Sequence, residues 1–351
     1  MLKLHSLSGG VLAALTAAFL FGASTPFAKQ LTGVVSPLLL AGLLYLGSGI
    51  GLGAIKLARD KNFSSGLSKY EWGWLFLAII SGGVIAPVLL MTGLAQTSAA
   101  TASLLLNLES VMTALLAWIF FKEHTDRRIV LGMFLITVGS MLLSWPKQAG
   151  LNNWAGFLSI AAACLCWAID NNLTRKISST DSVFIAGSKG LMSGIVNVSL
   201  AFAAGLTFPA WSKINSALLI GFFGYGVSLV LFVLALRGLG TARASAYFST
   251  APFIGAAIAI IFFHEPASIT FWTAAILMGM GVGIHLAEYH DHVHTHELMS
   301  HDHYHFHNEH HQHSHDYSWD NAKPHSHPHQ HDPITHSHHH YPDIHHRHKH
   351  K

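Results

Sequence analysis

The sequence predicts an all-α polytopic membrane protein in which ten transmembrane helices form two inverted five-helix repeats. Three observations predict this fold: the composition, the length of the apolar runs, and a motif that occurs once in each half. Of 351 residues, 51% are hydrophobic and only 11% are charged, whereas a soluble domain carries about 25% charged residues. Too few polar side chains are present to cover the surface of a soluble protein of this length.

The apolar residues are grouped into runs of membrane-spanning length. A bilayer core about 30 Å thick needs about 20 apolar residues in a helix. Ten such runs occur, at 9–31, 35–57, 71–95, 98–121, 128–145, 154–173, 182–206, 214–236, 242–263 and 269–288. The first run is longer than the apolar part of a signal peptide, which has about 7–15 residues. We therefore predict that it is retained as a span.

Lysine and arginine are distributed unevenly over the short loops. If the N-terminus is inside, the inner side carries 12 positive residues: Lys3, Lys56, Arg59, Lys61, Lys69, Lys122, Arg127, Arg128, Arg175, Lys176, Arg237 and Arg243. The outer side carries three, which are Lys29, Lys147 and Lys213. Positive residues in short loops stay in the cytoplasm. The sequence therefore predicts that both termini are cytoplasmic, in a plasma membrane such as the bacterial inner membrane.

A short motif repeats in the two halves. AWIFFKE at 117–123 recurs as AIIFFHE at 259–265, a displacement of 142 residues. In a second register, displaced by 145 residues, SPLLLAGLL aligns with DSVFIAGSK. We expect the acidic residues that close the motif, Glu123 and Glu265, to have structural roles at helix interfaces. The repeat predicts two five-helix domains, 1–145 and 146–289.

An odd number of spans per half makes the second half enter the membrane from the opposite side. Inverted repeats of this kind are typical of secondary transporters, which bind substrate near the membrane midplane at the interface of the repeats. The predicted function is therefore an alternating-access carrier.

Five-helix halves that each contain FFKE or FFHEP resemble the EamA-type repeats of the drug/metabolite transporter superfamily. The resemblance covers residues 9–289. It implies a ten-helix carrier that exports or imports small organic molecules without ATP hydrolysis. Of the two directions, we predict efflux of small metabolites. The ninth run contains Pro252, as such repeats commonly do, whereas the aligned residue of the fourth run is Ser110, beside Glu109.

A few strongly polar side chains lie within the apolar runs. Charged groups at the centre of a span cost about 3 kcal/mol on insertion scales, so each is a functional candidate. Glu109 lies in LLLNLESVMTALL, Asp170 is followed by Asn171 and Asn172, and Lys189 lies in AGSKGLMSG. These five residues are predicted to line the substrate pathway. The alternative is that the charged residues form an interhelical ion pair that only fixes packing.

The C-terminal segment 290–351 differs from the rest of the chain, because 24 of the 28 histidines lie in it. Its low complexity predicts a disordered cytoplasmic tail. Neutral imidazole is a common ligand of zinc, nickel, cobalt and copper. The candidate metal ligands are His290, His292, His294, His296, His301, His303, His305, His307, His310, His311, His313 and His315. Transport itself is predicted to require no cofactor.

Two other functions remain open at this stage. The chain could transport divalent transition metals such as nickel, cobalt or zinc, although its spans contain almost no histidine. It could also be a membrane-anchored metal sensor or storage protein. An enzyme is not expected, because HExxH, GxSxG and P-loop motifs are absent. The expected partners are the lipid bilayer, a small-molecule substrate and divalent metals, with a second copy of the chain as a further candidate and no nucleic acid.

Overall fold

The computed structural model divides the chain into two units, Met1–Ala287 and Glu288–Lys351. It describes residues 2–60, 67–121, 127–145, 154–174, 177, 181–239, 244, 247–286, 291–295, 299–305, 325–331 and 335–339. Every regular element described in the first unit is helical, and every one described in the second is a β-strand.

The first unit contains thirteen described α-helices. They are α1 (Leu2–Lys29), α2 (Pro37–Asp60), α3 (Lys69–Ala78), α4 (Ala86–Gln96), α5 (Ala99–Leu105), α6 (Leu108–Phe121), α7 (Arg127–Ser144), α8 (Ala155–Thr174), α9 (Ser182–Ala203), α10 (Trp211–Gly221), α11 (Ser228–Leu239), α12 (Ala251–Phe262) and α13 (Ile269–Leu286). Two π-helical segments, Ile79–Ile85 and Phe222–Val227, join α3 to α4 and α10 to α11.

Local sequence signals explain several helix starts. Ser68 caps α3: its hydroxyl accepts the backbone N–H of Glu71, and the Glu71 carboxylate accepts the backbone N–H of Ser68 at 2.8 Å. This reciprocal arrangement is a capping box, which satisfies two N–H groups that the helix leaves free. The helix α2 begins at Pro37, where the missing N–H of proline costs nothing.

Eight helical stretches are long and apolar enough to cross a membrane among the described residues. They coincide with the first eight predicted runs, from Gly9–Lys29 to Trp211–Ala235. Shorter apolar helices, Ala251–Phe262 and Ile269–Ile284, occupy the last two runs. The prediction of a polytopic helical membrane protein is confirmed, while the count of ten spans and their inverted arrangement remain predictions.

Helices α2 and α9, one from each half, pack at very short range through glycine. A Cβ atom built on Gly190 would lie 2.6 Å from the backbone nitrogen of Gly49. Real Cβ atoms do not approach backbone so closely, so any larger residue at Gly190 would force the helices apart. Small residues allow such contact in lipid, where no hydrophobic force drives helices together.

The second unit contains four strands where the sequence predicts disorder: β1 (Asp291–Thr295), β2 (Met299–His305), β3 (His325–His331) and β4 (Thr335–His339). β1 pairs with β4 and β2 with β3, both antiparallel. Interstrand pairing satisfies backbone N–H and C=O groups without requiring a hydrophobic core. Alternation of histidine with other residues also matches the two-residue period of a strand.

Candidate functional site

The fourth predicted span is broken rather than continuous. α5 ends at Leu105, the chain makes a turn at Leu106 and Asn107, and α6 begins at Leu108. The side-chain amide of Asn107 donates to the carbonyl of Leu104, and the Ser110 hydroxyl donates to the carbonyl of Asn107. These bonds add side-chain partners to backbone carbonyls at the turn. The break places Glu109 in the first turn of α6.

Glu109 makes a contact between the two halves of the chain. The side-chain amide of Asn171, in α8, donates a hydrogen bond of 2.8 Å to Oε1 of Glu109. Glu109 is half-buried, Asn171 is exposed, and the Glu109 carboxylate also interacts electrostatically with Asp170 and Lys189. The carboxylate thus has a neutral partner at contact distance and an ion pair nearby.

Asp170 and Lys189 form a buried ion pair between α8 and α9. Lys189 Nζ lies 2.6 Å from each carboxylate oxygen, and the two side chains are 13% and 7% exposed for Lys189 and Asp170. The Thr174 hydroxyl donates to Asp170 Oδ1 at 2.9 Å. Removing one partner of a buried ion pair leaves an uncompensated charge, which costs about 3–5 kcal/mol.

The first π-helical segment packs against this ion pair. The carbonyl of Gly82 accepts two hydrogen bonds, from the Tyr45 hydroxyl at 2.8 Å and from Trp167 Nε1 at 2.9 Å. A Cβ atom at Gly82 would overlap the carboxylate of Asp170. Glycine is therefore required here for the close approach of the third span to α8. π-helical turns occur frequently at functional sites.

A second ionic group joins the halves at the end of α2. Lys56 Nζ lies 2.8 Å from carboxylate oxygens of both Asp60 and Asp181, and the guanidinium of Arg59 also contacts both aspartates. Asp181 further accepts the backbone N–H of Val183 and so caps α9. We call these four side chains the Lys56–Asp181 network. Lys56 and Arg59 lie near the C-terminal end of α2 and Asp181 lies at the N-terminus of α9, so each of these three charges is favoured by the dipole of its helix.

The structure brings together four of the five side chains predicted for the substrate pathway: Glu109, Asp170, Asn171 and Lys189. The fifth, Asn172, donates instead to the carbonyl of Ala168 in its own helix. Sequence reasoning did not identify Thr174, Tyr45 or Gly82 as parts of this group. The glycine pair in IISGGVI, within a span, was the available signal.

The candidate metal ligands are only partly within the described chain. His292 and His294 lie in β1, and His301, His303 and His305 lie in β2. Seven others lie outside the described residues: His290, His296, His307, His310, His311, His313 and His315. Where side chains are described, no group of three or more His, Cys, Asp or Glu is arranged to hold a metal ion. Metal binding by the tail stays a prediction.

Comparison with known families shows that the two halves of the helical unit match the same family. The EamA-like transporter family matches residues 8–145 and, a second time, residues 154–286. The chain belongs to this family. Two copies of the EamA domain therefore make up the helical unit, and the protein is an integral membrane transporter of small substrates.

Relatives of the EamA protein are also described as transporters, which agrees with the expectation that it is not an enzyme. An uncharacterized transporter of Methanothermobacter thermautotrophicus is 29% identical over 286 residues, which cover 77% of this chain and 83% of the relative. The probable 4-amino-4-deoxy-L-arabinose-phosphoundecaprenol flippase subunit ArnE of Pseudomonas fluorescens is 37% identical over 107 residues, 30% of this chain and 92% of that subunit.

A solved crystal structure of another protein has the same fold. It superposes with a TM-score of 0.60 at 18% sequence identity, and the match covers 78% of this chain and 94% of that one. The EamA protein thus shares a helical architecture already observed by experiment.

Proposed function

We propose that this EamA protein is a secondary transporter that exports small metabolites across the plasma membrane by alternating access, with both termini in the cytoplasm. The observation that carries the proposal is the contact of Glu109 with Asn171 at the break between α5 and α6. In secondary transporters, interrupted membrane helices bind substrates and coupling ions. The pathway runs past Glu109, Asp170, Asn171 and Lys189, and no resident cofactor takes part.

Matching irregularities in the two halves support the repeat on which alternating access depends. The π-helical segments begin at residues 79 and 222 and end at 85 and 227, so they are displaced by 143 and 142 residues. The turn before α6, at 106–107, has a counterpart at 249–250, before α12. These displacements agree with the 142 residues that separate the two FF motifs. With five spans in each half, the repeats are inverted.

The charges at the site favour a substrate that carries an amine or another cationic group. Asp170 and Lys189 neutralise each other, whereas Glu109 bonds to a neutral amide. Among the side chains that the structure describes, no cation lies within ion-pairing distance of Glu109. A carboxylate in a poorly solvated site is stabilised by an opposite charge. The bound substrate supplies that charge.

Vesicle transport tests this proposal with matched pairs of compounds. Inside-out vesicles from cells that express the protein are incubated with amines and with neutral analogues of the same size, and divalent metals are included as a separate class. We expect accumulation of at least one amine above its neutral analogue. Glu109→Gln should reduce this accumulation at least tenfold, because it removes the charge and keeps the shape.

Asn172→Ala is the matched control, since Asn172 is the neighbour of Asn171 but bonds within its own helix. It should leave accumulation near the wild-type level, whereas Asn171→Ala should reduce it. Equal amounts of each variant in the membrane are verified by immunoblotting. Full transport by Glu109→Gln would place the substrate site elsewhere, and transport confined to metal ions would favour the metal carrier.

We also propose that the tail binds divalent transition metals, and the strand register is the observation that supports this. Along β2 and β3, three histidine pairs lie directly opposite each other: His301 with His329, His303 with His327, and His305 with His325. Directly opposite residues on antiparallel strands have Cβ atoms about 4.5–5.5 Å apart. The register therefore brings six histidines to directly paired positions of the two strands.

Metal titration of the full-length protein in detergent tests the tail. Zinc and nickel should bind, and magnesium should not, because imidazole prefers the former. Replacement of His301, His303, His327 and His329 by alanine should remove the tightest sites. The control replaces four histidines that lie outside the described residues: His345, His346, His348 and His350. If both quadruple variants lose binding equally, the register has no role and only the number of imidazoles matters.

A further inference from the structure

The turn between α4 and α5 is held by two opposite charges. On one side, Lys29 Nζ at the end of α1 donates to the carbonyl of Leu94 at 2.6 Å and to that of Ala95 at 3.4 Å. These carbonyls belong to the last turn of α4, where helical carbonyls lack intrahelical partners. A cation at this end of a helix is also favoured by the helix dipole.

On the other side, the Glu265 carboxylate accepts the backbone N–H groups of Ala99 and Ala100, at 2.8 and 2.7 Å. These are the first two residues of α5, and both are buried. Without Glu265, two buried N–H groups would lack a partner, which costs more than a typical hydrogen bond gains. Glu265 belongs to the second half of the chain and α5 to the first, so the contact crosses between the repeats.

The backbone after α12 aims Glu265 at this turn. His264 follows the C-cap residue of α12 and adopts a left-handed conformation with φ of 51°, which ends the helix. The backbone N–H of Glu265 then bonds to the carbonyl of Ala259 at 3.2 Å. Beside the turn lies a cavity of about 360 Å³, lined in part by Lys29, Thr32 and Glu265. Polar contacts therefore hold this side of the turn, where side-chain packing is incomplete.

We propose that Lys29 and Glu265 are positioning residues of the transport cycle, and we call their contacts with the α4–α5 turn the Lys29–Glu265 clamp. The clamp holds the α4–α5 turn in place at the start of the broken fourth helix, which carries Glu109. When the contacts of the clamp break, the carrier opens on this face of the membrane. This inference rests on the proposed alternating-access function. It identifies the contacts that must break for one of the two openings.

The position of the second ionic contact supports this role. α2 begins near the face that carries Lys29 and ends at the Lys56–Asp181 network, about 30 Å away at 1.5 Å per residue. Both contacts join the halves, and both are intact in the structure. Rocking of one half against the other separates the halves at one end while pressing them together at the other. The clamp and the network therefore have to break alternately.

Cysteine labelling measures the opening directly. Ser103 in α5 is 1% exposed, and its hydroxyl has no hydrogen-bond partner among the residues that the structure describes, so Ser103→Cys is a mild reporter substitution. The substitution is made in a protein whose free cysteines, Cys164 and Cys166, are replaced by alanine. A membrane-impermeant maleimide is added to whole cells. We expect Glu265→Gln to raise the labelling rate about tenfold, which corresponds to about 1.4 kcal/mol.

Two controls distinguish opening of the carrier at the clamp from a general loss of packing in the protein. Gln30→Ala, at an exposed residue that lines the same cavity, should leave the rate unchanged, whereas Lys29→Gln should raise it. A second reporter, Ser140→Cys in α7, is equally buried and should stay protected in every variant. Unchanged labelling of Ser103→Cys in Glu265→Gln would overturn the proposal, as would a parallel rise at both reporters.

The labelling and transport experiments test the clamp and the substrate site separately. If labelling does not respond to Glu265→Gln while Glu109-dependent transport is intact, only the clamp is overturned. If labelling responds but no transport depends on Glu109, only the proposed substrate site is overturned.

Discussion

Asp170 and Gly82 are in such close contact that the glycine has no room for a side chain: a Cβ atom at Gly82 would overlap the aspartate carboxylate. That carboxylate cannot move away freely, because Lys189 and Thr174 both bind it. The π-helical turn of the third span and the ion pair of α8 and α9 therefore form one packed group. Changes on either side should affect the other.

Gly82→Ala should destabilise the protein by about 1–3 kcal/mol, the usual cost of forcing an extra carbon into a packed site. Gly73→Ala is the control, since a Cβ atom at Gly73 meets nothing within 4 Å. Alanine is a better helix former than glycine, so this control should be neutral or stabilising by about 0.5–1 kcal/mol. Thermal unfolding in detergent compares the two, and equal effects would contradict the packing described here.

The ion pair itself should behave as a coupled unit. Lys189→Met leaves Asp170 buried without its cation, which should lower the free energy of unfolding by about 3–5 kcal/mol. Asp170→Asn likewise leaves Lys189 without its anion and should have a similar effect. The double variant should lose less than the sum of the two single losses, because no unpaired charge remains. Denaturant unfolding of all four proteins gives the coupling energy. Strictly additive losses would mean that the pair does not stabilise the fold.

Asp181 should make the stability of the fold depend on pH in the acidic range. Partial burial raises its pKa, but hydrogen bonds from Lys56, the Val183 N–H and Arg59 outweigh burial, so the net pKa lies below the ordinary value. A carboxylate with a lowered folded pKa stabilises the protein at neutral pH, and this contribution is lost as pH falls below about 4 through the folded pKa. Melting temperature between pH 7 and pH 3 should therefore fall less in Asp181→Asn than in wild type.

His264 should tolerate glycine better than any other replacement. Its φ of 51° is unfavourable for residues with a Cβ atom, by about 1–2 kcal/mol, and glycine avoids this cost. His264→Gly should therefore raise the melting temperature, whereas the β-branched His264→Val should lower it. The clamp contact of Glu265 should survive in the glycine variant. A lower melting temperature for His264→Gly than for wild type would show that the histidine side chain has a separate stabilising role.

Topology can be measured with reporter fusions. A reporter placed after Lys147 should be external, and one placed after His290 should be cytoplasmic, as the bias of 12 to 3 positive loop residues predicts. Matching locations for the two reporters would contradict the inverted arrangement. The clamp would then face the cytoplasm or the halves would be parallel.

Much of the fold followed from the sequence because hydrophobic length is a local property. The first eight runs match eight helical stretches to within a few residues. The break at Asn107 did not follow, since one asparagine among leucines hardly alters hydropathy. The two π-helical turns also escaped detection, because their glycines were consistent with ordinary helix packing.

The candidate site was predictable in its members but not in its pairings. Glu109, Asp170 and Lys189 stand out because charge is costly in a span. Only tertiary structure shows that Lys189 binds Asp170 and that Glu109 binds Asn171. Lys56 and Arg59 contribute to the sequence prediction only as two of the 12 positive residues of the inner loops. Their partner Asp181 could not be predicted, because the bias of loop cations carries no information about which carboxylate they bind.

The two π-helical turns also set the helical phase of the spans that contain them. A π turn is an α turn with one additional residue, and it changes the phase of every later residue in its helix by about 100°. Ile79–Ile85 and Phe222–Val227 occupy corresponding places in the two copies of the domain. The third span of each copy therefore carries the same shift of helical phase. Deleting one residue from only one of the segments would put that half out of phase with its twin.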